Sequence, residues 1–210
     1  MSRILPILFN TEMVRAILDG RKTCTRRVVK PDVQYFEVNN DPIYIYDAEP
    51  EVGKIMPPYQ PGDILYVRET FIQAAAHTFW YKADGKSWML KDLRWKPSIH
   101  MPKEAARIWL RVTDVRVERL QDITEDEVWD EGFRFKPPCL TRVSADGHTC
   151  DLDGPCTSSI KYCDMTMGEL FGRELWDNTI KKSDLDRYGW DANPYVFVIE
   201  FERCEKPQEV

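Results

Sequence analysis

The chain predicts an α+β fold, a small β-barrel with helices packed on it and a Cys-rich insertion. Three observations carry that expectation. Runs rich in β-branched and aromatic residues recur along the sequence, only three short segments show helical spacing, and four of the six cysteines crowd one stretch, 134–165. A length of 210 residues suits one domain with insertions or two small ones. The stretch around Pro57, Pro58 and Pro61 is too short for a linker and reads as a loop within the domain.

The first helix is expected over residues 11–19. Met13, Val14, Ile17 and Leu18 recur at helical spacing behind Asn10 or Thr11, either able to cap the first turn. Glu12 suits the positive end of the helix dipole, and Gly20 suits the left-handed residue that ends a helix. The following Arg21-Lys22-Thr23-Cys24-Thr25-Arg26-Arg27 reads as an exposed turn or strand start. Strands follow at Ile43-Tyr44-Ile45-Tyr46 and, after the turn-prone Pro61-Gly62-Asp63, at Ile64-Leu65-Tyr66-Val67. Phe79-Trp80-Tyr81 and Trp88-Met89-Leu90 flank Asp84-Gly85, a favoured pair for a tight hairpin. The run from Ile108 to Leu120 breaks its alternation at Thr113-Asp114, which predicts a bulge. Thr124-Glu125-Asp126-Glu127 is a capping box, so a second helix runs to about Glu131 and stops at Gly132. Thr166-Met167-Gly168-Glu169 opens the third helix, with Met167, Phe171 and Leu175 stacked behind it. Tyr195 to Phe201 closes the chain as the strongest strand.

Composition excludes several classes. Hydrophobic residues are 43% of the chain, enough for a packed core. The apolar run Ile4 to Phe9 falls far short of the ~20 residues that cross a bilayer. With no basic-then-apolar leader before it, the expected location is the cytoplasm, with no membrane partner. With 29 Lys+Arg against 35 Asp+Glu, the net charge of −6 argues against coating DNA by bulk charge. Neither a Gly-x-Gly-x-x-Gly fingerprint nor a phosphate-binding lysine loop is present.

Three segments can carry chemistry. From Gly20 to Pro31 the chain holds Arg21, Lys22, Arg26, Arg27 and Lys30 and no acid, a local charge of +5. Such a turn is ordinarily a solvated face. Here Thr23 and Thr25 interleave with the cations, arginines suit phosphate or carboxylate recognition, and a lysine beside a threonine hydroxyl is one form of base–nucleophile pair. The acidic helix at 125–131 is its complement. Its early acids suit the N-terminal dipole, whereas Glu131 sits in the last turn, where dipole and neighbouring carboxylates oppose a negative charge. That setting marks either a general acid/base or a surface partner for an arginine. In the third segment, Cys139, Cys150, Cys156 and Cys163 lie near His148 and form either one structural Zn2+ site or a set of free thiols. No Cys-x-x-Cys pair decides between them. His77 and His100 have no Ser or Cys partner at recognisable spacing.

The helix leading into Gly20-Arg21-Lys22-Thr23-Cys24-Thr25-Arg26-Arg27 resembles the opening motif of the ASCH domain family, and so does Gly62-Asp63-Ile64-Leu65-Tyr66-Val67-Arg68-Glu69. Trp190-Asp191-Ala192-Asn193-Pro194-Tyr195, running into the last strand, looks like the family's closing strand. The longer form with this segment is similar to members common in bacteriophages and prophages. The resemblance implies a single domain over 1–210 with a β-barrel related to PUA RNA-binding domains. Some small bacterial members are amidohydrolases that remove the acetyl group from N4-acetylcytidine with a Lys, a Thr and a Glu. On this chain their motif falls on Lys22 and Thr25, and the Glu falls on Glu131. The same resemblance points to Arg21, Arg26, Arg27 and Glu69 as substrate-binding residues, with one of the arginines stabilising the oxyanion. Two functions are expected from it: an amidohydrolase acting on a modified pyrimidine nucleoside, or a non-catalytic module that binds single-stranded RNA or DNA. In the second, Tyr66 or Trp80 stacks on an extruded base.

Overall fold

A computed structural model describes residues 2–30, 36–40, 43–47, 54–85, 94–134 and 165–208, with the backbone alone at 36–40, 43–47 and 54. The first half runs β1 (Ile4–Leu8), α1 (Thr11–Leu18), β2 (Cys24–Val28), β3 (Phe36–Asn40), β4 (Ile43–Asp47), β5 (Lys54–Ile55), β6 (Ile64–Arg68), β7 (Phe71–Ala75) and β8 (Thr78–Tyr81). Next come β9 (Trp109–Arg119), α2 (Glu125–Asp130), α3 (Met167–Phe171), α4 (Asp177–Thr179), α5 (Leu185–Tyr188) and β10 (Tyr195–Cys204). Among the described residues no helix is long and apolar enough to cross a membrane.

The main sheet has five strands in the order β1-β6-β9-β10-β2. β1 joins β6 in parallel and the other pairs are antiparallel. The expected closed barrel is not what forms: among the described residues the sheet is open, with β1 and β2 at its two edges. The reason lies in the connection. Strand β1 leads into α1, which carries the chain across the sheet and delivers it to the opposite edge as β2. The helix therefore covers one face, burying Val14 and Ile17 against Leu65, Leu110, Val115 and Ile199. Pro6 within β1 suits an edge strand, where its missing amide proton costs nothing.

Both faces of β10 are buried, which is why its sequence is nearly continuous in apolar residues rather than alternating. Phe197, Ile199 and Phe201 enter the core under α1. Val196 and Val198 enter a second core with Leu120, Val128, Phe171, Trp176 and Trp190. The bulge expected at Thr113-Asp114 is present: Val112 pairs with Phe201 and Asp114 with Glu200, so Thr113 has no opposite number.

The helix starts obey local signals. The Asn10 side chain accepts from the Met13 amide at 2.9 Å, and both Thr124 with Glu127 and Thr166 with Glu169 complete their capping boxes. Beyond α3 the helix widens into a single π-type turn, Gly172–Trp176, before α4. Gly172 is needed there because a Cβ on it would lie 2.1 Å from Cδ2 of Trp190.

The expected hairpin about Asp84-Gly85 is replaced. Phe79 to Tyr81 belongs to β8, whose partner is β7 across the two-residue connection Ala76-His77, with His77 at φ 59. Packing decides this pairing, since Phe71, Phe79 and Tyr81 close a small core with Met101 and Ala105. Asp84 instead ends a short 3-10 turn, and Trp88 to Leu90 lie outside the described residues.

Candidate active site

The segment after α1 is not the exposed turn its charges suggest. Gly20 takes the left-handed conformation (φ 73) and turns the chain toward β10. Lys22, Thr25 and Arg26 are then all buried. Their solvation is replaced by acids from far along the chain. Lys22 and Glu131 form an isolated backbone bridge, and the Lys22 ammonium donates to Oε2 of Glu131 at 2.5 Å and to its carbonyl oxygen at 3.0 Å. The Lys22 side chain is 0% exposed and that of Glu131 4%, so this pair is enclosed. Opposition from the helix dipole at Glu131 is thus met by two cations. Arg26 supplies the second through Nη1 at 3.3 Å from Oε1.

Strand alternation sends Cys24 and Arg26 to one side and Thr25 and Arg27 to the other. Arg26 enters a carboxylate network, with Nη2 2.6 Å from Glu118 and 3.1 Å from Glu127. Arg116 joins Glu118, Glu127 and Glu200 in the same network. Burial works against the charge of Arg26, but Glu131 and Glu118 outweigh it and its pKa is raised. Burial also pushes the Cys24 thiol up, with Glu131 adding to the effect and Lys22 and Arg26 opposing it.

On the other side, Nη1 of Arg27 donates to the Thr25 hydroxyl at 2.8 Å. Among the described residues the Thr25 hydroxyl accepts this bond and donates to no acceptor. Phe9 is the element common to both sides. The Lys22 ammonium lies 5.7 Å from its ring centroid and the Arg27 guanidinium 5.5 Å, each within cation–π range. Desolvation lowers the pKa of Arg27 from its ordinary value, against the opposing pull of Glu131 and Tyr59.

Two adjoining hollows open beside this cluster, sharing Asn10 and Met13 at the start of α1. The smaller, about 300 Å3, is walled by Arg21, Glu131, Gly132, Phe133 and Arg134. The larger, about 560 Å3, is walled by Arg26, Arg27, Lys30, Trp176 and Thr179. Gly132 is required at this junction: it holds φ 77, and a Cβ there would lie 2.7 Å from the Ala16 Cβ and 3.0 Å from the Lys22 Cβ.

Lys22, Glu131 and Arg26 are therefore in direct contact. Thr25 reaches the group through Arg27, and Arg21 through the Gly132 carbonyl, to which its Nη1 donates at 3.1 Å. Glu69 stands apart. It is 1% exposed and is held by Arg107 through bonds of 2.8 and 3.0 Å; like Lys22 and Thr25, which lie behind the walls, it lines neither hollow. Burial pushes its pKa up despite Arg107, whose charge also meets Asp84. Tyr66 leans on Trp109 with centroids 6.0 Å apart, while Trp80 is 53% exposed on β8. Cys139, Cys150, Cys156, Cys163 and His148 lie outside the described residues. Among the described residues no group of three metal-ligating side chains gathers.

Sequence reasoning missed Phe9, Glu118, Glu127 and Arg116. It also assigned Arg27 to substrate without seeing that an i, i+2 pair in a strand shares a face with Thr25, a signal that was available. No family model matches the chain, and no curated protein and no solved structure matches it either.

Proposed function

We propose that the protein is an ASCH-type amidohydrolase that cleaves the exocyclic amide of a modified pyrimidine nucleoside such as an N4-acylated cytidine. The observation that supports it most is the enclosed 2.5 Å contact of Lys22 with Glu131, a residue that walls a nucleoside-scale hollow. In this mechanism a proton passes from the Lys22 ammonium to the Glu131 carboxylate as substrate fills the hollow and excludes water. The neutral amine takes the Thr25 proton, and the Thr25 oxygen attacks the acyl carbon. Arg27, already bonded to that oxygen at 2.8 Å, offsets its developing charge. Arg21, on the same hollow, meets the carbonyl oxygen as it becomes an oxyanion. Protonated Glu131 gives its proton to the departing N4 amine, leaving an acyl-threonine ester. Water then hydrolyses the ester to the carboxylic acid and restores Thr25.

Incubation with N4-acetylcytidine and chromatographic detection of cytidine tests the proposal. Lys22→Ala and Thr25→Ala are each expected to lower turnover by about 10²–10⁴-fold. Absence of cytidine release by the unaltered protein across acyl chain lengths refutes the reading. One observation favours the second function, a non-catalytic nucleic-acid module: Arg27 and Lys30 wall the larger hollow, and among the described residues no acid lines it. Salt-sensitive binding of single-stranded RNA without any turnover is the outcome that would support it.

A further inference from the structure

The larger hollow has a charge pattern of which the amide chemistry uses only Arg27. Arg26, Arg27 and Lys30 line it together with the neutral polar groups of Asn10, Asn178 and Thr179, and among the described residues no Asp or Glu does. Arg26 is already satisfied by Glu118, Glu127 and Glu131. The other two cations touch no carboxylate among the described residues, although Glu131 also attracts Arg27 from further off. Arg27 spends its donors on the Thr25 hydroxyl and on the carbonyls of Arg26 and Leu8, all neutral acceptors. Lys30 places its ammonium 5.1 Å from the Tyr188 ring centroid and meets no carboxylate among the described residues. Thr179 and Asn178 already donate to the carbonyls of Trp176 and Glu174, so the wall's chemistry rests on two cations with no carboxylate in contact, and these match a phosphate group.

Size and position narrow the ligand. The volume of about 560 Å3 lies in the ordinary range for a small-molecule site. Asn10 and Met13 wall both hollows, so the two lie side by side at the start of α1. A polynucleotide fits less well: its binding rests on many released counterions, whereas the chain carries a net charge of −6 and this wall offers two such cations.

We propose that the larger hollow is a phosphate subsite and that the substrate is a phosphorylated pyrimidine nucleotide rather than the free nucleoside. The assignment of its pyrimidine end rests on the amidohydrolase reading; the anion subsite itself rests on the hollow alone.

Calorimetric titration of the whole protein with cytidine 5′-monophosphate, cytidine and inorganic phosphate tests it, alongside kcat/KM for N4-acetylcytidine with and without a 5′-phosphate. The monophosphate is expected to bind at least about tenfold more tightly than cytidine at low salt, and Lys30→Gln is expected to remove that advantage while leaving cytidine binding unchanged. Equal binding of the two, or an advantage that survives Lys30→Gln, overturns the subsite. Tighter binding of an oligonucleotide lacking a terminal phosphate overturns it as well. The two readings fail separately. Turnover of acetylcytidine with no gain from the 5′-phosphate sinks the subsite and leaves the hydrolase. Lys30-dependent binding of inorganic phosphate without hydrolysis of any acylated pyrimidine upholds the subsite and sinks the hydrolase.

Discussion

Replacing Glu131 with glutamine keeps the shape of the side chain and removes the negative charge that Lys22 and Arg26 share. The two cations are not affected equally. Arg26 retains Glu118 at 2.6 Å and Glu127 at 3.1 Å. Lys22 retains only the Glu131 carbonyl at 3.0 Å and the Phe9 ring at 5.7 Å, with its side chain fully enclosed. Stranding a buried charge costs about 3–5 kcal/mol, and the two remaining contacts place Glu131→Gln near the lower end, about 3 kcal/mol. For a chain of this length that lowers Tm by about 6–12 °C. Lys22→Met is expected to cost less, about 1–2 kcal/mol, because Glu131 keeps Arg26 at 3.3 Å. The double variant, with neither charge left alone, is expected to recover most of the loss. Thermal and guanidinium unfolding followed by circular dichroism measures all three. A Glu131→Gln variant as stable as the unaltered chain, or less affected than Lys22→Met, would refute both the enclosure of this pair and the site built on it.

Gly132→Ala is expected to cost about 2–4 kcal/mol, combining a left-handed residue with a Cβ 2.7 Å from Ala16, and to reduce turnover by displacing Glu131; unfolding and activity assays read the two effects. Burial of Asp63 raises its pKa, but the Arg3 side chain and the Gln60 amide outweigh it and the net shift is downward. An acid depressed on folding contributes stability that is fully present above its unfolded value of about 3.9 and is lost as pH falls through the folded value. Asp63→Asn is therefore expected to flatten the stability–pH curve below about pH 4, measured by urea midpoints; an unchanged acid limb counts against the ion pair. Thr124→Ala removes the acceptor of the Glu127 amide at 3.3 Å and is expected to cost about 1 kcal/mol by the same measurement.

Legibility in the sequence divides by range. Asn10, Thr124 and Thr166 cap amides three residues away, so those helix starts were readable from a short window. The odd spacing of Val112 and Val115 disclosed the bulge for the same reason. Burial of the basic segment was not readable. Lys22 and Arg26 are neutralised by carboxylates 92 to 109 positions away, and no local pattern announces that partnership. The hairpin about Asp84-Gly85 failed because Phe71 contributed a better-packed partner strand than the local turn signal could offer. Strand β1 went unread because Pro6 interrupts its run, and only its place at the sheet's edge makes that residue tolerable. Charge logic and the ASCH resemblance converged on Lys22 and Glu131, and the geometry joins those two directly; Glu69 entered by resemblance alone and stands with Arg107 instead.

The unmatched residue in β9 makes one position in that strand dispensable in a way its neighbours are not. Val112 and Val115 both point into the core under α1, with Thr113 and Asp114 exposed between them. A chain shortened by one at Thr113 keeps every other side chain in its present orientation and merely straightens the strand. The same loss at Val115 reverses the parity of the adjoining half of the strand and drives Arg116 or Asp114 into the apolar interior, dismantling the carboxylate network that steadies Glu131. Thr113 is thus a single spare link in an otherwise incompressible strand.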